Sequence, residues 1–111
     1  MKASEGIIDN DPRLKKLIDL LQTYDPERII LFGSRARGEA DEYSDYDIIV
    51  IKQTDKPFME RLKDMIPYLI EFDGTAEILV YTPEEFAKMS EIGLGFIVQK
   101  EGIILYESKS N

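Results

Sequence analysis

Three short stretches of this 111-residue chain hold residue types that can handle a phosphate and a cation together: Gly33-Ser34-Arg35-Ala36-Arg37-Gly38, Ser44-Asp45-Tyr46-Asp47, and Glu77. Gly33 ends an apolar run, and glycine takes the backbone angles of a tight turn without steric penalty. A helical turn starting at Ser34 presents unpaired N–H groups, which favour a phosphate. Arg35 and Arg37 add fixed positive charge beside it. Asp45 and Asp47 lie two apart, so on a strand both carboxylates leave the same face. Two neighbouring carboxylates repel unless a cation lies between them. Mg²⁺ suits the pair, because it takes oxygen ligands and is held by one or two carboxylates plus substrate phosphates. Glu77 shares a face with Thr75, Leu79 and Tyr81, while Ala76, Ile78 and Val80 share the other. A lone buried carboxylate is costly, so Glu77 is expected beside Asp45 and Asp47, completing a two-metal site for phosphoryl chemistry.

Each feature alone has a plainer reading. Gly33 to Gly38 fits a surface turn, Asp45-x-Asp47 a solvated strand start, and Glu77 an exposed edge strand. Together they would have to coincide in order. Two other motifs fail. Gly33 and Gly38 have P-loop spacing, but Glu39 stands where that loop needs its lysine. A calcium loop needs glycine at its sixth position, and Val50 stands there counting from Asp45.

The flanking sequence predicts the elements that would place these groups. Asp11-Pro12 starts a helix with a capping carboxylate and a first-turn proline, and Leu14, Leu17, Ile18 and Leu21 follow at helical spacing. Asp25-Pro26 ends it. Arg28 to Phe32 reads as a buried strand, apolar on both faces. Asp45 to Ile51 reads as a second strand and Thr75 to Tyr81 as a third. Pro57 to Phe72 carries a helical stripe that Pro67 should break. Thr82-Pro83-Glu84-Glu85 is a strong helix start. Gly93 to Lys100 fits a short helix and Gly102 to Tyr106 a last strand. The order implies one α/β domain (α+β in arrangement) over residues 1–111, with a small mixed sheet and helices packed on one side. Residues 1–10 and 107–111 are expected to be loose.

Composition narrows the function classes. With no cysteine and no histidine, disulfides, thiolate sites, histidine bases and nearly all zinc sites are excluded. Any acid, base or ligand must come mainly from Asp, Glu, Lys or Tyr. A net charge of −8, from 22 acidic and 14 basic residues, repels a polyanion, so a long nucleic acid is a poor partner and a basic protein a good one. Residues 1–10 have no apolar leader and no apolar run approaches a membrane span, as expected of a cytoplasmic protein with no membrane partner.

The spacing Gly33-Ser34, ten residues, Asp45-x-Asp47 resembles the signature of the polymerase-β-like nucleotidyltransferase superfamily. The length and the segment Tyr81-Thr82-Pro83-Glu84-Glu85-Phe86 look like its minimal members. The similarity runs from about Arg28 to Phe86. It implies that Gly33 and Ser34 bind a nucleoside triphosphate, that Arg37 contacts phosphate, and that Asp45 and Asp47 hold two Mg²⁺ ions. Glu77 falls where the family usually has a third aspartate, a metal ligand and base. Minimal members are usually antitoxins paired with an all-helical HEPN ribonuclease toxin, and the resemblance implies AMP transfer from ATP to a hydroxyl, a tyrosine of that toxin. Two other functions stay open: a binding module that neutralises the toxin with a weak nucleotide site, and a small-molecule nucleotidyltransferase.

Overall fold

A computed structural model describes residues 1–4 and 6–109. The chain runs β1 (Lys2–Ala3), α1 (Pro12–Gln22), β2 (Arg28–Phe32), α2 (Gly33–Arg37), β3 (Tyr46–Ile51), α3 (Phe58–Asp64), α4 (Ile66–Glu71), β4 (Ala76–Tyr81), α5 (Pro83–Met89), α6 (Gly93–Glu101) and β5 (Ile103–Glu107). The strands form one mixed sheet in the order β1-β5-β2-β3-β4. β2 is antiparallel to both β3 and β5, whereas β3 and β4 run parallel. A parallel pair needs a crossover, and α3 and α4 supply it.

The local signals explain these elements. The Asp11 carboxylate accepts a hydrogen bond from the Leu14 amide at 3.1 Å, capping α1 ahead of Pro12. Thr82 and Glu85 close a reciprocal capping box on α5. Pro67 lies in the first turn of α4, where its missing N–H is harmless, so the expected break falls between two short helices.

The α/β fold with a small mixed sheet stands as read, but helices cover both faces. Leu14, Leu17, Ile18 and Leu21 of α1, with Met65 and Phe72 around α4, pack on the side chains of Ile29, Leu31, Tyr46, Ile48, Val50, Ile78 and Val80. Phe86 of α5 and Val98 of α6 cover Ile30, Ile49 and Ile51 on the other face. Central strands that are apolar on both sides need both covered. The first residues also depart from a loose lead-in. Lys2 and Ala3 pair with Ile103 and Ile104, and the Met1 ammonium donates to the Gln99 carbonyl at 2.6 Å. At the other end, Arg28 pairs in register with Glu107, while residues 110 and 111 lie outside the described residues.

Arg61 is buried within α3. Its guanidinium donates to Glu85 at 2.6 and 3.2 Å, to the Val80 carbonyl at 3.2 Å and to the Lys56 carbonyl at 2.8 Å. One side chain thus closes the outer edge of β4 and joins it to the start of α5. The hydrogen bond from Arg61 holds the Glu85 carboxyl below its usual pKa. Arg61→Ala is expected to cost about 2 kcal/mol, less than the ~3–5 of a fully buried pair, because the Glu85 side chain is 43% exposed and screened. The wild-type contribution is present above Glu85's ordinary value of 4.5 and is lost as pH falls through the lowered folded value. Denaturant melts of both proteins between pH 3 and 7 check this: the gap between them should narrow toward acid.

Candidate active site

The two inner strands and the edge strand bring the chemical residues to one end of the sheet. Gly33 follows β2 directly, with φ at +75°. A Cβ on Gly33 would run into the Asp47 carboxylate, whose Cγ would lie 3.0 Å away. Glycine is therefore required twice, for its backbone angle and for the close approach. In the ladder Asp47 stands opposite Phe32 on one side and Glu77 on the other. The row Phe32-Asp47-Glu77 lies on the face that α5 and α6 cover further along, at Ile49 and Ile51: Phe32 packs against that cluster, and exposure rises toward Glu77 at the sheet edge.

Asp45 precedes β3. Its carboxylate accepts a hydrogen bond from the Thr75 hydroxyl at 2.5 Å, and the Tyr46 amide donates to the Thr75 carbonyl at 2.9 Å. Thr75, which sequence reading left without a role, thus holds Asp45 from the neighbouring strand. Asp45 and Glu77 are exposed and Asp47 is half-buried. The Asp47 carboxyl is pushed above its ordinary value, first by burial, then by the charges of Glu77 and Asp45, with Arg37 opposing. The charges of Asp45 and Glu77 are therefore both felt at Asp47. Contrary to the burial expected of it, Glu77 lies exposed on the edge strand, so no burial cost demands a partner for it. Register with Asp47 is what brings it to the site.

The two arginines divide. Arg37 stays near the acids, exposed, and pairs with Glu39 at 2.9 Å and Glu101 at 3.4 Å. The hydrogen bond to Glu39 and the two carboxylate charges raise its pKa. Such exposed pairs are worth little, so a phosphate can compete for the guanidinium. Arg35 does not add charge here. It turns to the α1 face, where its guanidinium carbon lies 3.8 Å above the Tyr46 ring centroid. Ser34 is half-buried in the first turn of α2, and the capping residue, Phe32, makes no side-chain hydrogen bond to that turn.

Among the described residues no three acidic side chains converge into a ready-made metal site. The donor chemistry still fits Mg²⁺. Asp45 and Asp47 offer hard oxygens, their mutual repulsion is relieved by a cation, and this ion takes its remaining oxygens from water and phosphates rather than an all-protein cage. No helix among the described residues is long and apolar enough to cross a membrane.

Comparison with known proteins agrees with this geometry. Residues 15–111 match the family described as polymerase beta, nucleotidyltransferase. The chain is 32% identical over 80 residues to a Methanocaldococcus jannaschii protein named as a protein adenylyltransferase, covering 72% of this chain and 78% of that one. A nucleotidyltransferase structure from Sulfolobus solfataricus superposes with a TM-score of 0.66 at 17% identity, over 90% of this chain and 82% of its own. A toxin–antitoxin structure with AMP-PNP gives a TM-score of 0.63 at 24% identity, over 86% and 73%. At such identities these two establish the fold alone. The extent of the family match, joined to a glycine turn packed on a strand-borne aspartate, makes this chain an enzyme of the polymerase beta nucleotidyltransferase family.

Proposed function

We propose that this chain transfers AMP from ATP, with Mg²⁺, to a tyrosine hydroxyl of a partner toxin, and so acts as an antitoxin. The observation that carries this reading is the register: the Gly33 turn, Asp47 and Glu77 stand side by side across β2, β3 and β4. The backbone at Gly33 and Ser34 receives the triphosphate, with Arg37 on its oxygens. Asp45 and Asp47 hold the metal, and Glu77 is the third acid. Bound Mg²⁺ supplies neutralisation of the charge that develops on the phosphoryl oxygens. The acceptor oxygen attacks the α-phosphorus and forms a P–O bond. The bond from that phosphorus to the oxygen bridging toward the β-phosphate breaks, pyrophosphate leaves with its electron pair, and the acceptor proton passes to the Glu77 carboxylate.

The acceptor is read as protein for three reasons. A curated relative is named as a protein adenylyltransferase, and a structural neighbour is a toxin–antitoxin complex. The net charge of −8 favours a basic protein over a nucleic-acid primer. A HEPN-type ribonuclease is the toxin proposed. Incubation with ATP labelled at the α-phosphate, Mg²⁺ and the partner should place label on the partner, and chelation should prevent it.

A second reading, a binding module with a weak nucleotide site, draws on the exposed position of Glu77 and on the carboxylates already paired with Arg37. It predicts a tight complex without label. Glu77→Asp separates the two. With a working site the shorter acid is expected to keep labelled transfer within about tenfold of wild type, because a longer carboxylate is not demanded by the geometry of proton transfer. Complete loss would instead mark Glu77 as a length-tuned ligand, and label-free wild type would favour the binding module.

A further inference from the structure

Arg35 leaves the same short helix as Arg37 but is fully occupied elsewhere. Its Nε and Nη2 donate to the Ser44 carbonyl at 3.0 and 2.7 Å, and Nη2 also donates to the Asp41 carbonyl at 3.1 Å. Its Nη1 lies 3.8 Å from the Asp11 carboxylate. The guanidinium plane rests on the ring of Tyr46, whose hydroxyl donates to Asp11 at 2.8 Å. Tyr46 is 2% exposed and the Arg35 side chain 13%. The segment between Gly38 and Asp45 curls around this guanidinium. The Ser44 amide donates to the Asp41 carbonyl at 3.2 Å, and the Tyr43 amide to the Asp41 carboxylate at 2.9 Å.

We propose that Arg35 is a positioning residue for the transfer reaction. It fastens the loop that ends in Asp45 to α2, and so fixes a metal-holding carboxylate relative to the turn that receives the triphosphate. The inference rests on the proposed function. Asp45 has two restraints: Thr75 grips its carboxylate, and Arg35 grips the backbone carbonyl one residue before it. The Thr75 contact is exposed, so on its own it leaves the carboxylate free to swing with the loop. Asp47 needs no such strap, since strand pairing holds it on both sides. A lysine cannot substitute, because the site uses a planar fork on two carbonyls and an aromatic face.

The test uses Mn²⁺ and a non-hydrolysable ATP analogue, with loss of the free Mn²⁺ EPR signal read for the wild type and for Arg35→Lys, beside labelled transfer across Mg²⁺ concentration. Arg35→Lys is expected to bind Mn²⁺ at least about tenfold more weakly, as loss of a supporting partner does at metal sites. Its kcat is expected to fall about 100-fold, with nucleotide KM little changed and activity partly restored by added Mg²⁺. Unchanged Mn²⁺ affinity and Mg²⁺ half-saturation would overturn the proposal, even if activity fell with the folded fraction, as a purely structural role predicts. If Arg35→Lys fails to fold, Tyr46→Phe loosens the same anchor while keeping the ring. A shift of about threefold in the same direction is expected there, and none would overturn the proposal. A wild type that binds no Mn²⁺ with the analogue removes the proposed function itself, whereas normal wild-type binding with an unchanged variant removes only the role of Arg35.

Discussion

Asp47→Asn is expected to lower adenylyl transfer about 1000-fold and to raise thermal stability at neutral pH. The first effect follows from position. Asp47 is flanked by the Gly33 turn and Glu77, and its carboxylate is the one that strand pairing holds from both sides. On the proposed function Asp47 holds a metal that neutralises the transferring phosphoryl group, and withdrawing it costs several kcal/mol of transition-state stabilisation, each ~1.4 kcal/mol being tenfold in rate. The second effect follows from the raised pKa. Burial, Glu77 and Asp45 all disfavour the charged carboxylate, so the folded protein binds this proton more tightly than the unfolded chain. The group's contribution is most favourable below its ordinary value of 3.8 and is lost as pH rises through the raised folded value. Asparagine, which carries no charge, escapes that loss. Melting curves should show the variant above wild type at pH 7, with the difference shrinking on acidification toward pH 4. Adding Mg²⁺ with nucleotide should stabilise wild type and not the variant, since only the state that binds is favoured. Full transfer activity in Asp47→Asn would remove the metal site from the reaction.

Much of this arrangement was legible in residue order because local chemistry encoded it. Asp11-Pro12 and Thr82-Pro83-Glu84-Glu85 are caps that act within a few residues, and both helices start where those signals lie. Asp45-x-Asp47 and Gly33 carried the site because a strand's period and a turn's need for glycine are also local. What depended on pairing between distant segments was hidden. Lys2-Ala3 is too short to show a period, and only the partner strand at Ile103 and Ile104 makes it one. The second helical layer was implied by Ile30, Ile49 and Ile51, apolar residues on the sheet face opposite α1, but nothing in α5 or α6 announces which face each will cover. Arg35 and Arg37 differ by two positions and read alike in sequence. Their fates separate because one meets the Tyr46 ring and two carbonyls while the other meets Glu39 and Glu101. Arg61 gave no sequence signal at all, since the Glu85 carboxylate and the Val80 carbonyl that it meets come from the far side of a crossover.

Gly33→Ala tests the close packing at this site most directly, and it is expected to damage activity more than stability. Two costs act at once. An L-residue at φ +75° is strained by about 1–2 kcal/mol relative to glycine. The added methyl group would also press on the Asp47 carboxylate, and Asp47 has little freedom, being paired to β2 and β4. Either α2 shifts away from the strand or the carboxylate turns aside. Each outcome moves the backbone proposed to receive the triphosphate, or the carboxylate proposed to hold the metal, by about 1 Å, a displacement that can lower a rate about 100-fold. Stability should fall by about 1–3 kcal/mol. A folded variant with transfer reduced at least about 100-fold would locate the requirement at the contact between Gly33 and Asp47. Gly38→Ala is the matched control. Gly38 also has a left-handed backbone, φ +74°, but an added Cβ there meets no atom within 4 Å. It should share the conformational cost while keeping most of the activity. Equal loss in both variants would assign the effect to backbone strain and leave the carboxylate contact without a role.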